Sequence, residues 1–339
     1  MIGVVSFPED PHAERVIGHL RADGQAVLLL NLADLPDRAT LTFDYRPDGP
    51  PQLEFHRRGD SPADLGRLTS VWWRRPQQVH PAAVTDADVR LFTLNEWQEA
   101  INGLWQLLPV RWMNHPVRDE AAGRKAIQLR TAREVGLRVP RTVVTSDPGH
   151  ARAFIESNLP GRTVYKTFSC THEIWRETRI VRDQDLSVLD AVRVAPTIFQ
   201  EFVPAEADLR ITVVGRQLFP AAIRFPDGDR PVDFRLNLGR ASVEPCELPD
   251  GVAAALLALM DRLGLAYGAV DMRRTPDGDY VFLEVNTAGE FLFIEERTGQ
   301  PIARALAEWL ATPVAPARPP APRRARAPGT TSSSRSRRR

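Results

Sequence analysis

Asp271, Glu284 and Asn286 lie in the segment AVDMRRTPDGDYVFLEVNTAGEF, where Pro276-Asp277-Gly278 is a strong turn signal between two strand-like runs. A turn centred near Asp277 places Asp271 opposite about Leu283. The two-residue step from Glu284 to Asn286 puts both on one face of a strand. Asp271 is then within side-chain reach across the ladder. Two carboxylates converging in an apolar hairpin repel each other and lose hydration, and a divalent cation relieves both costs. Oxygen donors without His or Cys indicate Mg²⁺ or Mn²⁺ rather than zinc. Mg²⁺ held by few protein oxygens leaves its other positions to phosphates. Taken alone, the three residues equally suit the exposed face of an ordinary hairpin.

The elements that must position this hairpin alternate irregularly. Strands are expected at IGVVSF, AVLLLN and SVWWR, with a hairpin around Arg46–Pro51. Leu94, Trp97, Ile101, Leu104, Trp105 and Leu108 recur every three or four residues, the stripe of a helix, and that spacing accounts for the tryptophans as core. Pro116 marks a boundary, because it disfavours helix before it. A helix from about Asp119 to Val135 stops at Gly136, and RTVVT, Thr163–Phe168, TIFQEFV, LRITVV and Ala221–Phe225 read as strands. A helix over Val252–Leu263 has Gly264 where a cap belongs, and a last helix spans Pro301–Ala311. The class is α/β of mixed α+β character, too irregular for a doubly wound sheet.

The 339 residues suit two or three lobes, and 43% hydrophobic with 26% charged residues is ordinary for a globular chain. The longest apolar stretch, Val252 to Met260, falls well short of a membrane span, and the acidic start MIGVVSFPED carries no signal-peptide pattern. Cys170 and Cys246 make no disulfide framework, so a cytoplasmic location is expected. The net charge of +1 hides an asymmetry: eight arginines and no acid follow Thr312, leaving −7 for the rest. That Pro/Ala/Ser/Arg tail, 313–339, reads as a disordered, solvated extension without a catalytic role.

LEVNTAGEF resembles the terminal metal-binding strand of ATP-grasp enzymes, and other parts of that family precede it in the usual order. Lys125 precedes a segment ending GLRVP, and Lys166 in TVYKTF matches the lysine of the lid. FQEFVPAEADLRITVV resembles the hinge, so Glu201, Phe202 and Val203 would meet adenine and Asp208 the ribose hydroxyls. SVWWRRP, NHP, VPRTVVTSDP and EERTGQPIARALAEWL narrow the likeness to the ATP-grasp peptide maturases of the graspetide (microviridin-type) pathways.

The resemblance implies an ATP-grasp fold with an N-terminal pre-ATP-grasp domain over 1–115. A central or lid subdomain would cover 116–195, and a C-terminal subdomain with the metal site 196–312. It implies ATP with two Mg²⁺ ions, and a reaction in which an Asp or Glu of a ribosomal precursor peptide is phosphorylated. Attack by Ser, Thr or Lys would then close an ω-ester or ω-amide. It also implies leader-peptide binding and allows a homodimer. No membrane is expected, nor a nucleic acid.

Arg210, Arg235 and Arg224, in that order, are the candidates for stabilising the transferring phosphoryl group and carboxylate, because guanidinium matches both. Arg210 follows Asp208 by two, so both face the cleft on an extended strand, and D-x-R also occurs in peptide-ligating relatives. One departure is the stretch Phe168–Glu173, which lacks the glycines of a phosphate-covering loop; Ser169 and Thr171 hydroxyls could donate instead, and Cys170 and His172 receive no role. Two other readings stay open: a glutamate ligase resembling the ribosomal-protein-modifying enzymes, and a non-catalytic peptide- or nucleic-acid-binding protein on a degenerate scaffold.

Overall fold

The computed structural model describes residues 1–158, 161–168, 178–226 and 232–313. Ser169–Glu173 and the tail from residue 314 lie outside them. The chain opens with β1 (Ile2–Val5), α1 (Pro11–Ala22), β2 (Val27–Leu30), β3 (Ala39–Asp44), β4 (Gln52–Arg57), β5 (Ala63–Asp64), β6 (Ser70–Trp73), α2 (Ala87–Leu107) and β7 (Arg111–Met113). Here β2-β1-β6-β7 form a parallel sheet, and β3-β4-β5 a small antiparallel one whose first turn is the expected hairpin. On α2 the apolar stripe buries Ile101, Leu104 and Trp105, with Leu108 just beyond its end, against the parallel sheet.

The helix expected from Asp119 to Val135 is two helices, α3 (Pro116–Ala122) and α4 (Lys125–Glu134). The break at Gly123-Arg124 leaves carbonyls without helical partners. The Gln128 side chain meets one, donating to Ala122 O at 2.7 Å. Both helices pack on the C-terminal half: Ala122, Ala132 and Leu137 share a core with Leu209, Leu259 and Val285.

Next come β8 (Thr142–Thr145), α5 (Pro148–Glu156), β9 (Thr163–Lys166), β10 (Arg179–Ile180), α6 (Asp183–Leu186) and β11 (Thr197–Glu201). Their antiparallel sheet runs β10-β9-β11-β8 over a small core of Ala151, Phe154, Leu189 and Phe199.

The last part holds β12 (Ala207–Val214), β13 (Gln217–Arg224), β14 (Ser242–Pro245), α7 (Asp250–Leu263), β15 (Tyr267–Arg274), β16 (Tyr280–Asn286), α8 (Leu292–Thr298) and α9 (Ile302–Ala311). The antiparallel sheet β14-β13-β12-β15-β16 is backed by α7, whose Leu256, Leu259, Met260 and Leu263 repeat at helical spacing and are buried. Gly264 ends α7 at φ 71°, the left-handed cap that glycine adopts without a Cβ penalty. On α9, Ile302, Leu306 and Leu310 are buried beside Val4, Val16 and Trp72 of the first part and Ala221 and Tyr267 of the last. At about 2 kcal/mol for each large apolar side chain, that stripe contributes roughly 6 kcal/mol to joining the two.

Candidate active site

Register decides which side chains meet. β12 pairs with β15 so that Asp208 lies opposite Arg273 and Arg210 opposite Asp271. β15 pairs with β16 so that Asp271 faces Glu284 and Ala269 faces Asn286. Period two thus gathers Asp208, Arg210, Asp271, Arg273, Glu284 and Asn286 on one face. Leu209, Ile211, Val270, Met272, Phe282 and Val285 take the other, all buried.

The expected pairing of Asp271 with Leu283 is shifted by one. Arg274–Tyr280, Arg273–Val281 and Met272–Phe282 keep the register the turn sets, and a β-bulge then slides the ladder so that Glu284 meets Asp271. Leu283 is the extra residue, and a bulge re-aims side chains. Leu283 and Glu284, adjacent in sequence, both line one cavity.

That cavity brings together most of the residues singled out by sequence. Lys166 reaches it from β9, Glu201, Phe202 and Val203 from the end of β11, Asp208 from β12, and Arg235 from the 3₁₀ turn after Asp233. Among its walls, Glu201 is exposed and its carboxylate accepts from Arg141 N at 3.4 Å. The Phe202 amide donates to Arg162 O at 2.7 Å, and Val203 O accepts from Arg273 at 2.7 Å. The Val203 amide donates to none of the described residues.

Asp208 is buried and paired with Arg273 Nε at 2.9 Å. Arg273 escaped the sequence reading. Its guanidinium also donates to Val232 O at 2.8 Å and lies 5.1 Å from the Phe202 ring, tying hinge, sheet and the segment before Asp233 together. The available signal was its place two residues after Asp271 on the same strand.

Lys125 is the first residue of α4, where a cation opposes the helix dipole and no side chain caps the turn. Its ammonium is paired with Glu284. Gln128, also missed, holds that geometry: its amide donates to Val285 O at 2.8 Å and accepts from Val285 N at 3.0 Å, clamping α4 to β16. Lys125 and Gln128 are three apart and share a helix face, a spacing visible in sequence.

Arg210 is buried, binds both oxygens of Asp271 through Nη1 at 2.9 and 3.0 Å, and donates to Glu290 O at 3.0 Å. Arg235 is held by Asp233. Asn286 is exposed and accepts from Ala288 N at 3.1 Å, capping the loop after β16.

Arg224 is not brought to the site. Ile223 lies opposite Asp208, so alternation sends Arg224 to the sheet's other face, where it meets Glu244 at 3.3 Å.

The electrostatics explain how carboxylates persist here. Burial alone would raise the Glu284 pKa, but Lys125, Lys166 and Arg235 outweigh it and hold it down to about 2. Asp271 is raised, because burial and Glu284 exceed the pull of Arg210. Lys166 is lowered to about 8 by burial, with Lys125 and Arg273 adding to it and Glu284 opposing. Arg235 is raised by its hydrogen bond to Asp233.

The repulsion argued from sequence is therefore already met by protein cations. What stands out is their mixture: Lys125, Lys166, Arg210 and Arg235 stand beside Asp271, Glu284 and Asp233, so the site offers cations to phosphate oxygens and carboxylates to a metal. Among the described residues no group of three or more His, Cys, Asp or Glu could hold a metal alone. Two carboxylates and an amide fit Mg²⁺ completed by phosphates.

A profile of the RimK-like ATP-grasp domain matches residues 122–310. The ribosomal protein bS6–L-glutamate ligase of Salmonella paratyphi B is 30% identical over 217 residues, 61% of this chain and 69% of that one. The crystal structure of macrocyclase MdnC of Microcystis aeruginosa, bound with precursor peptide MdnA, has a TM-score of 0.81 at 29% identity, covering 92% of this chain and 99% of that one. A Chryseobacterium gregarium RiPP-associated ATP-grasp ligase, in complex with ADP and a leader and core peptide, has a TM-score of 0.82 at 25% identity, covering 91% and 96%. The chain belongs to the RimK-like ATP-grasp family of ligases.

Proposed function

We propose that this ligase crosslinks side chains within a ribosomal precursor peptide, joining an Asp or Glu carboxyl to a Ser or Thr hydroxyl or a Lys amine as an ω-ester or ω-amide. The observation that carries the reading is the gathering of Lys125, Lys166 and Arg210 with Asp271 and Glu284, in a chain whose likeness to a peptide-bound macrocyclase runs over nine-tenths of its length. Adenine would sit against the hinge at Glu201–Val203, with the Val203 amide as donor. Asp208, oriented by Arg273, would accept from the ribose. Lys125 and Lys166 would hold phosphates at two heights. Asp271, Glu284 and Asn286 would hold two Mg²⁺ ions, with Mn²⁺ as a substitute, which supply charge neutralisation on the triphosphate.

The peptide carboxylate attacks the γ-phosphorus, the bond to the β-phosphate oxygen breaks and ADP departs. The hydroxyl or amine then attacks the acyl carbon, the bond to phosphate breaks, and phosphate leaves with the electron pair while the nucleophile's proton passes to phosphate or solvent. Arg210 would stabilise the transferring phosphoryl group, and Arg235 would neutralise charge beside it.

Residues 1–115 would form a pre-ATP-grasp domain, 116–195 the central and lid subdomain and 196–312 the C-terminal subdomain with the metal site, with a homodimer as the assembly. Among the described residues no helix is long and apolar enough to cross a membrane, and a cytoplasmic setting suits an ATP-dependent ligase. The test is incubation with a candidate precursor peptide, ATP and Mg²⁺ followed by mass spectrometry. Loss of one water per crosslink, with ADP and phosphate formed, is expected. Addition of glutamate to a protein instead would transfer the chain to the glutamate-ligase reading.

A further inference from the structure

Beyond Asn286 the chain runs on against the first part of the molecule, with Gly289 buried and Glu290 exposed. It enters a loop, residues 287–290, that is gripped from the first part of the molecule by a fully buried arginine. Arg74, directly after β6, has no exposed side-chain surface. Its Nε donates to Asp10 at 3.2 Å, and its Nη1 donates to Ala288 O at 2.5 Å and Gly289 O at 3.2 Å. Asp10 is itself fixed by the Ser6 hydroxyl at 2.8 Å and the His12 amide at 3.0 Å. Tyr267 donates to Gly289 O at 2.7 Å.

The same loop holds the guanidinium assigned to the reacting phosphoryl group. Glu290 O accepts from Arg210 Nη2 at 3.0 Å. A Cβ at Gly289 would lie 2.9 Å from that nitrogen and 2.3 Å from Ala269 Cβ, so the backbone passes Arg210 as closely as glycine permits. Arg74 and Arg210 therefore grip adjacent carbonyls of one short loop. A buried ion pair is a poor source of stability, since apolar residues of similar volume often do as well. Its value here lies in placement.

We propose that Arg74 is a positioning residue: anchored by Asp10, it fixes the Ala288–Glu290 backbone and thereby sets the orientation of the Arg210 guanidinium. This rests on the reading of Arg210 under the proposed function. It makes the first part of the chain a component of the catalytic apparatus rather than only a peptide-binding addition.

The test uses the full chain labelled with ¹⁵N. Arg210 Nε is buried with no hydrogen-bond partner among the described residues, so its N–H resonance is identifiable by its loss in Arg210→Lys. In Arg74→Gln that resonance is expected to move while MgADP affinity stays within about threefold, and precursor-dependent ADP formation falls about 10- to 100-fold, the scale for a reacting group misplaced by about 1 Å. In the double variant the Arg74→Gln loss disappears into that of Arg210→Lys, because both act through one group. An unmoved resonance, or losses that multiply, would overturn the proposal. Should Arg74→Gln not fold, Asp10→Asn, which loosens the anchor and keeps the arginine, gives the same readouts with the same meaning. The resonance is read without substrate, so it is decided separately from whether the chain closes rings.

Discussion

The two faces of the five-stranded sheet are made by the same strands and differ in almost everything else. On one, Leu209, Ile211, Met272 and Phe282 pack under α7 with at most 1% of their surface exposed. On the other, the residues directly alternating with them are Asp208, Arg210, Asp271 and Arg273, buried or half-buried and matched in pairs. The apolar face can be rigid because close packing resists displacement. The charged face needs that rigidity, since buried charges are tolerated only where partners are held at hydrogen-bond distance. A cleft of this polarity is supported from behind.

If function belongs to one face and stability to the other, substitutions should separate them. The largest effect is expected of Arg210→Lys, which keeps a charge but loses the simultaneous grip on Asp271 and Glu290 O. Ligation should fall about 10²- to 10³-fold with MgATP affinity largely kept, measured as kcat against KM. Equal turnover would dissolve the distinction.

Next is a pH effect. Lys166 titrates near 8 in the free protein, and phosphates bind its protonated form, so binding takes up a proton as pH rises past that value. MgADP affinity should then drop by up to about tenfold per unit above pH 8, and Lys166→Arg, which stays charged, should flatten the profile in calorimetry. Phe282→Ala, behind the cleft, should lower stability by about 3–5 kcal/mol in denaturant unfolding, with turnover per folded molecule within about twofold. The smallest change is expected of Arg224→Ala, within about twofold of wild-type kcat/KM, since its guanidinium lies on the far face against Glu244. A large loss there would return Arg224 to the mechanism.

Arg224 also shows where sequence reasoning stops and where it stopped too soon. Asp208 and Arg210 are two apart on one strand, so their shared face is readable without a structure. Arg224 lies on another strand, and its parity depends on pairing. Val214 pairs with Gln217 across the two-residue turn Gly215-Arg216, so recognising that turn would have numbered the whole hairpin and placed Arg224 correctly. The bulge at Leu283 had no comparable signal, because an extra residue leaves both strand propensity and turn unchanged. Lys125, Lys166 and the Asp271–Glu284 pair were legible as types in order along the chain. The spacings of Arg273 from Asp271 and of Gln128 from Lys125 were visible too, but the backbone that these two and Arg74 grip belongs to distant segments and leaves no mark in a sequence.

The bulge on β16 has one more implication, for how such a site can diversify. In a regular ladder, any two neighbours on a strand look in opposite directions, so an apolar wall residue and a carboxylate facing the same cleft cannot sit side by side. Slipping Leu283 into the strand gives the cleft two consecutive positions with independent duties. The leucine contributes shape and the glutamate contributes charge. Substitution at position 283 can thereby reshape the cleft wall, while the carboxylate beside it keeps its partner Lys125.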